Sequence, residues 1–275
     1  MRYRRFVKEF LPRLIIRLLH KIEGLVIKAS EKREYSCPIC EKELTCFNRL
    51  PDYYIEMLDK HQYVHPFFCN ETFNYLKYSC PICGSSDRNR LYALYFKRRF
   101  LTITGNEKKH HFLDIAPDRN LTKWIKRFPF IHYCSVDLYM EGVDDKADLT
   151  DFSIYETDSF DIILCSHVLE HIEDDRKAMA ELFRVLKPGG FAIVMVPIIL
   201  TLKEDIETPE WTTESDRWKY YGQNDHVRIY SKKGFVNKLQ ETGFQVNQLG
   251  MDFFGDKIFE KNGINPRSVL YVVEK

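Results

Sequence analysis

Glycine is missing where a nucleotide-binding turn would need it most. Residues 111–120, "HFLDIAPDRN", read as a first strand and the turn into a helix, yet hold no glycine. Dinucleotide sites carry G-x-G-x-x-G there because a pyrophosphate packs against the backbone and the helix N-terminus. Ala116, Pro117 and Asp118 offer instead a ring without an N–H and a carboxylate where a phosphate would sit, which disfavours a dinucleotide. Long apolar runs are missing too. The longest, residues 191–200, falls well short of the ~18 residues a membrane-spanning helix needs and reads as a buried strand with its exit. Cysteine, at eight in 275 residues, is too sparse for a disulfide scaffold. No secretory signal is evident, because Arg or Lys breaks the N-terminal apolar positions every few residues and no small-residue cleavage site follows. The expected setting is a reducing cytoplasm, with the inner face of a membrane as a further option.

Net charge is nearly absent as well, at +1, but it conceals a split. Residues 1–110 hold 21 Lys/Arg against 12 Asp/Glu, a net of +9, and the remainder holds 20 against 28, a net of −8. Such a division suggests two tasks, with the basic half facing something anionic. What is plentiful is apolar material, 44% of residues with 14% aromatic, enough for a real core and against wholesale disorder.

The first region, residues 1–30, repeats Phe6, Phe10, Leu14, Leu18 and Ile22 at helical spacing, with Arg2, Arg5, Arg13, Arg17, Lys21 and Lys28 mostly off that stripe. A basic amphipathic helix of this kind either lies in an anionic membrane interface or docks its stripe on the body or a second subunit.

The second region, residues 31–100, holds Cys37-Pro38-Ile39-Cys40 and Cys80-Pro81-Ile82-Cys83-Gly84. Two cysteines separated by two residues chelate a metal from a tight knuckle, and two matched knuckles complete a tetrahedral four-cysteine zinc site. Such a closed site is structural. Residues 41–79 between the knuckles must fold as an excursion, in which Cys46, His61, His65 and Cys69 are weaker ligand candidates. The following "RNRLYALYFKRRF" reads as a helix with Leu91, Leu94, Tyr95 and Phe96 inward. Its Lys97-Arg98-Arg99 lies toward the C-terminal end, where cations suit the helix dipole.

The third region, residues 110–275, alternates strand and helix. Strands are expected at 112–115, 131–136, 147–149, 160–165, 191–196, 244–250 and 268–274, and helices at 120–128, 173–186 and 231–242. Lys187-Pro188-Gly189-Gly190 is expected to stop the second of these helices. This alternation implies an α/β, doubly wound Rossmann-like sheet with its ligand at the carboxyl ends of the strands. Asp114, Asp137 and Asp148 fall at three successive strand ends, and an acid after the second strand is the ribose-diol reader of such folds.

The run "FDIILCSHVLEHIEDDRKAMAELFRVLKPGGFAIVMVP" resembles the middle of a class I S-adenosylmethionine-dependent methyltransferase. "SHVLEHI" and "LKPGG" are its most specific parts, and the likeness covers about residues 110–275. The whole chain is similar to bacterial methyltransferases with an N-terminal CPxC pair, many associated with cell-surface polysaccharide genes. The resemblance implies that Asp114 lies near the methionine ammonium, with Ala116 and Pro117 in the cofactor turn. It implies that Asp137 binds the ribose hydroxyls with Leu138 after it, and that Asp148 and Leu149 flank the adenine. Ser166 and His167 line the methyl-transfer pocket. The departure is Ala116-Pro117 in place of the more usual Gly-x-Gly, tolerable because this cofactor has no pyrophosphate.

Methyl transfer to a hydroxyl also needs a proton acceptor, for which His167, His171, Asp225 and His226 are candidates. His171 is expected to pack or cap, and His167 to face the pocket. Residues 200–230 are expected to cap the methyl, bringing Asp225, His226 and Arg228 to a small-molecule or saccharide acceptor, with loop anchoring as the alternative for His226 and Arg228. Two other classes stay open: an RNA methyltransferase that uses the zinc region for nucleic acid, and a non-catalytic adaptor on the same fold.

Overall fold

The computed structural model describes residues 33–103 and 109–275, so the basic amphipathic stretch at 1–30 lies outside the described residues. Among the described residues no helix is long and apolar enough to cross a membrane. The first knuckle sits between two short antiparallel strands, β1 (Tyr35–Ser36) and β2 (Glu43–Leu44). The excursion carries one helix, α1 (Asp52–Lys60), and a 3-10 turn at Phe67–Cys69. The second knuckle leads directly into α2 (Asp87–Ile103).

That helix belongs to the core of the sheet. Leu91, Tyr92, Tyr95, Phe96 and Phe100 are buried, and the Phe96 ring meets Phe112 at 5.5 Å and Phe191 at 6.4 Å. Leu94 is only partly buried. The basic cluster is engaged by the protein itself. Lys97 pairs with Glu41 at 2.9 Å, Arg98 donates to the Phe253 carbonyl, and Arg99 approaches Glu274.

The alternating region then gives β3 (His110–Ile115), α3 (Arg119–Ile125), β4 (Ile131–Val136), β5 (Phe160–Ser166), α4 (Asp175–Val185), β6 (Leu186–Met195), α5 (Glu214–Tyr221), α6 (Lys232–Thr242), β7 (Gln245–Leu249), two short helices α7 (Met251–Phe254) and α8 (Asp256–Lys261), and β8 (Leu270–Glu274). The sheet runs β4-β3-β5-β6-β8-β7. Its first four strands are parallel and β8 is antiparallel to both neighbours. This is the doubly wound arrangement that the alternation implied. The continuous apolar run of β5 is buried from Ile162 to Cys165, as a parallel strand covered on both faces requires.

Two of the expected features differ in the structure. No strand forms at 147–149; the neighbourhood offers only an isolated bridge between Val136 and Asp145. Its carboxylates satisfy local amides instead. Asp144 accepts from Ser135 N, and Asp148 Oδ1 accepts from the amide and hydroxyl of Thr150. Such turns compete with a ladder. The second difference is that "LKPGG" starts β6, with the register shifting against β5. A Cβ on Gly190 would stand 2.8 Å from the Asp161 carbonyl, so only glycine permits that approach.

Arg90 of α2 ties the knuckle region to the far end of the chain. Its guanidinium is fully buried and stacks 3.9 Å over the Phe47 ring. It donates to the carbonyls of Lys77, Tyr78 and Ser85 before the helix, and of Asn262 and Gly263 after α8. Arg90→Met leaves those carbonyls without a donor and should lower stability by roughly 3–5 kcal/mol. Thermal melting checks this, with half-exposed Arg99→Met as a comparison expected to change stability by under ~1 kcal/mol.

Candidate active site

The four cysteines come together as their spacing predicts. Cys37 Sγ lies 3.7 Å from Cys83 Sγ, and Cys40 Sγ 3.8 Å from Cys80 Sγ. A tetrahedron with metal–sulfur bonds of ~2.3 Å has sulfur–sulfur edges of ~3.8 Å, which these two distances match, and all four sulfurs lie within 4.8 Å of one another. The two knuckles share one backbone design. Glu41 N donates to Cys37 O and Gly84 N to Cys80 O, each at 2.8 Å. Both residues are left-handed, Gly84 at φ 77° without cost and Glu41 at φ 58° against its side-chain preference. Of the weaker candidates, His61 stacks on Trp218, His65 bonds the Tyr220 carbonyl, Cys46 is near Thr45 and Cys69 sits in the 3-10 turn. None joins the four-sulfur group.

At the carboxyl ends of β3, β4 and β5 three cavities meet, and His167 lines all of them. The first is walled by Asp114, Ala116, Pro117, Ser166 and, from α2, Arg88 and Tyr92. The second is walled by Ala116, Asp137, Leu138, Asp148, Leu149 and Asp225. Asp148 thus reaches the predicted cavity from a loop. The third lies between the excursion and the segment after β6, where Tyr54, Tyr63, Phe67 and Tyr78 face Tyr221 and His226.

Backbone strain marks the junction. Ala116 at φ 52° and His167 at φ 58° follow β3 and β5 in left-handed conformation, a cost that clusters at functional sites. Asp118 Oδ1 accepts from the amides of Asn120 and Leu121. The α3 amides a phosphate would use are therefore taken. Asp137 Oδ1 accepts from Tyr139 and Met140 N at 2.7 Å, which leaves Oδ2 for the cavity. Asp114 is buried beneath, accepting from Tyr133 and Thr122 hydroxyls, and burial pushes its carboxyl up to about 7 against those two bonds. Ser166 Oγ bonds Tyr92 Oη at 2.8 Å.

Around His167, burial and the Arg88 cation hold the imidazole well below its usual range, at about 4. Its Nδ1 lies 3.0 Å from Glu170 Oε1. Burial would raise the Glu170 carboxyl, but the imidazoles of His167, His226 and His171 draw it to about 2. His171 does more than pack: it lines the second cavity, with Nδ1 3.3 Å from Asp225 Oδ2 and its ring against His226.

Arg228 does not reach an acceptor. It is buried and lines none of the three cavities. Its guanidinium donates to the carbonyls of Leu169, Ile172 and Glu173 and to Glu207. With Val227 N on Glu170 O, it pins residues 225–228 to the turn after β5, the contacts that the anchoring alternative describes for Arg228. His226 is carried into the wall by that pin.

Arg88, Tyr92, Glu170 and the aromatic excursion were not singled out from the sequence. The i, i+3, i+4 spacing of His167, Glu170 and His171 is a legible sign that one helical turn gathers them. Arg88 had no comparable signal, since its place depends on how α2 meets the sheet.

A family model described as a methyltransferase domain matches residues 86–249. A probable S-adenosylmethionine-dependent methyltransferase of Mycolicibacterium smegmatis is 26% identical over 112 residues, 41% of this chain and 39% of that protein. The chain thus spans about two fifths of that relative. Among solved structures, a SAM dependent methyltransferase from Archaeoglobus fulgidus aligns at 14% identity and a TM-score of 0.42, covering 67% of this chain and 92% of its own. One from Mesorhizobium loti aligns at 14% and 0.40, covering 66% and 97%. With the family model spanning more than half of its residues, the chain belongs to the methyltransferase-domain family.

Proposed function

We propose that the protein transfers a methyl group from S-adenosylmethionine to a small-molecule or saccharide acceptor held in the aromatic cavity. The observation that carries this reading is the meeting of three cavities at His167. The donor set fits the cofactor. Asp137 supplies an acceptor for a ribose diol, while Asp114 and Arg88 in the neighbouring cavity suit the ammonium and carboxylate of a methionine end. Asp148 and Leu149 would flank the adenine.

When bound, S-adenosylmethionine supplies a methyl on a sulfonium; the acceptor's lone pair forms the new bond as the carbon–sulfur pair returns to sulfur. The chain's own part is alignment, worth up to ~7–11 kcal/mol in well-oriented systems. A hydroxyl acceptor also gives up a proton, for which His167 and His226 stand in the cavity wall. Aromatic faces with Asn70, Glu71 and Gln223 among them suit a ring-shaped polar acceptor, such as a sugar of surface polysaccharide synthesis. The engagement of Lys97, Arg98 and Arg99 by the protein itself gives a nucleic-acid acceptor less support. The cysteine cluster is assigned to one structural zinc, whose negatively charged tetrathiolate has the Arg90 cation within range.

Three outcomes test this reading. Arg88→Ala should weaken S-adenosylhomocysteine about 10- to 100-fold in calorimetry, the worth of hydrogen bonds to a charged group. It should leave 5′-methylthioadenosine, which lacks the amino-acid end, unchanged; equal losses would make Arg88 structural. S-adenosylhomocysteine should bind more tightly as pH rises through about 7, because Asp114 must lose its proton to pair with an ammonium. Asp114→Asn should flatten that profile. Cys80→Ser/Cys83→Ser should remove one zinc per chain by elemental analysis, and a variant with full zinc content would sink the assignment.

A further inference from the structure

A second set of metal-binding side chains occupies the wall between the acceptor cavity and the cavity lined by Asp137. Glu170, His171 and His226 each offer a ligand atom, and these atoms lie within 4.8 Å of one another. Glu170 is fully buried, with His167 Nδ1 3.0 Å from its Oε1; its Oε2 has no hydrogen-bond partner, and neither has Nδ1 of buried His226. Buried polar atoms are nearly always satisfied, so two orphans in one place ask for a missing group. The orphans are of one kind. A carboxylate oxygen and an imidazole nitrogen with no donor before them both turn lone pairs inward, and one cation meets them together.

We propose that Glu170, His171 and His226 bind a divalent transition-metal cation, with His167 at its edge. Imidazole nitrogens with one carboxylate favour Mn²⁺, Fe²⁺, Co²⁺ or Zn²⁺ over Mg²⁺ or Ca²⁺, which prefer all-oxygen shells. Two ligands bound at ~2.1 Å stand at most ~4.2 Å apart, so atoms already within 4.8 Å of one another need at most a small inward movement.

The surroundings are those of a held site. His226 is fixed by a hydrogen bond to the Tyr221 backbone, and Asp225 Oδ2 stands beside His171 Nδ1. Outer carboxylates and backbone groups of this kind orient metal-binding imidazoles. The Arg228 guanidinium and Val227 N lock the His226 segment onto the turn that carries Glu170 and His171. His167 lies 3.0 Å from Glu170 through Nδ1 and is shared with the acceptor cavity, as is His226.

Three protein ligands leave coordination positions open, the mark of a working rather than a structural metal. The acceptor cavity is the side from which an oxygen can enter. The cation would then hold an acceptor hydroxyl and lower its pKa, as such ions do for bound water. This points to a hydroxyl-bearing acceptor. That role rests on the methyl-transfer reading; the metal itself does not, and binding is measured without turnover.

The test uses full-length protein with its cysteine site left loaded. MnCl₂ is titrated in and free Mn²⁺ is followed by electron paramagnetic resonance, because Mn²⁺ is a poor competitor for thiolates. Saturable binding at one site per chain is expected, weakened on the order of 100-fold by the isosteric Glu170→Gln and comparably by His226→Gln. Pulsed resonance on the wild-type complex should show imidazole nitrogen coupled to the bound ion, a readout that needs no variant to fold. Absence of saturable binding, absence of nitrogen coupling, or unchanged affinity in both variants would overturn the site. S-adenosylhomocysteine affinity, measured alongside, reports separately on the methyl-transfer reading.

Discussion

A buried cation whose hydrogen bonds all go to backbone carbonyls is the constraint on which this molecule turns. Burying the Arg90 guanidinium costs several kcal/mol unless each of its donors is met. The donors are met by backbone from two places far apart in the chain, the second knuckle and the turn after α8. The helix that carries Arg90 is thereby fixed in height and rotation. Residues two before and two after it, Arg88 and Tyr92, then have little choice about where they end: both enter the cavity beside Asp114. The knuckles are therefore not an appendage in the mechanical sense. Cys37, Ile39, Leu44 and Cys80 share one continuous apolar core with the sheet.

The site divides its labour by element. On the proposed reading the parallel strands supply the cofactor side, where the left-handed Ala116 and His167 turn the chain sharply. The excursion between the knuckles supplies one wall of the cavity proposed for the acceptor and the stretch after β6 supplies the other. In this chain the wall contributed by the excursion is built with aromatic side chains. Phe67 lies edge-on to Phe68, Phe73 and Tyr75, each at under 6 Å, which makes that wall a packed surface.

What the sequence made legible was what local chemistry decides. Apolar runs placed β4 at its observed limits and β5 within a residue. The repeated CPIC placed the four sulfurs, and acids after the strands placed Asp114 and Asp137. Asp148 was found for a partly mistaken reason, since its loop reaches the cavity without a strand. For Arg228 the sequence left two readings open, because an arginine in a polar loop looks the same whether it meets a ligand or groups of its own chain. The helices α5, α7 and α8 went unseen, being short and weakly periodic. Most of what remained hidden was long-range: no local pattern says that residues 50–78 will face residues 196–229.

The same ties set an order of assembly. Glu71 holds Tyr271 across 200 residues, Thr72 holds Val269 across 197, and Asn74 holds Gly263 across 189. Every one of these partners lies after α8, in β8 or in the stretch before it. On the ribosome the knuckles therefore emerge well before the Asn262 and Gly263 carbonyls that complete Arg90. Contacts of such separation form slowly, after nearer ones have limited the search. The knuckle region is thus made long before the partners that close it.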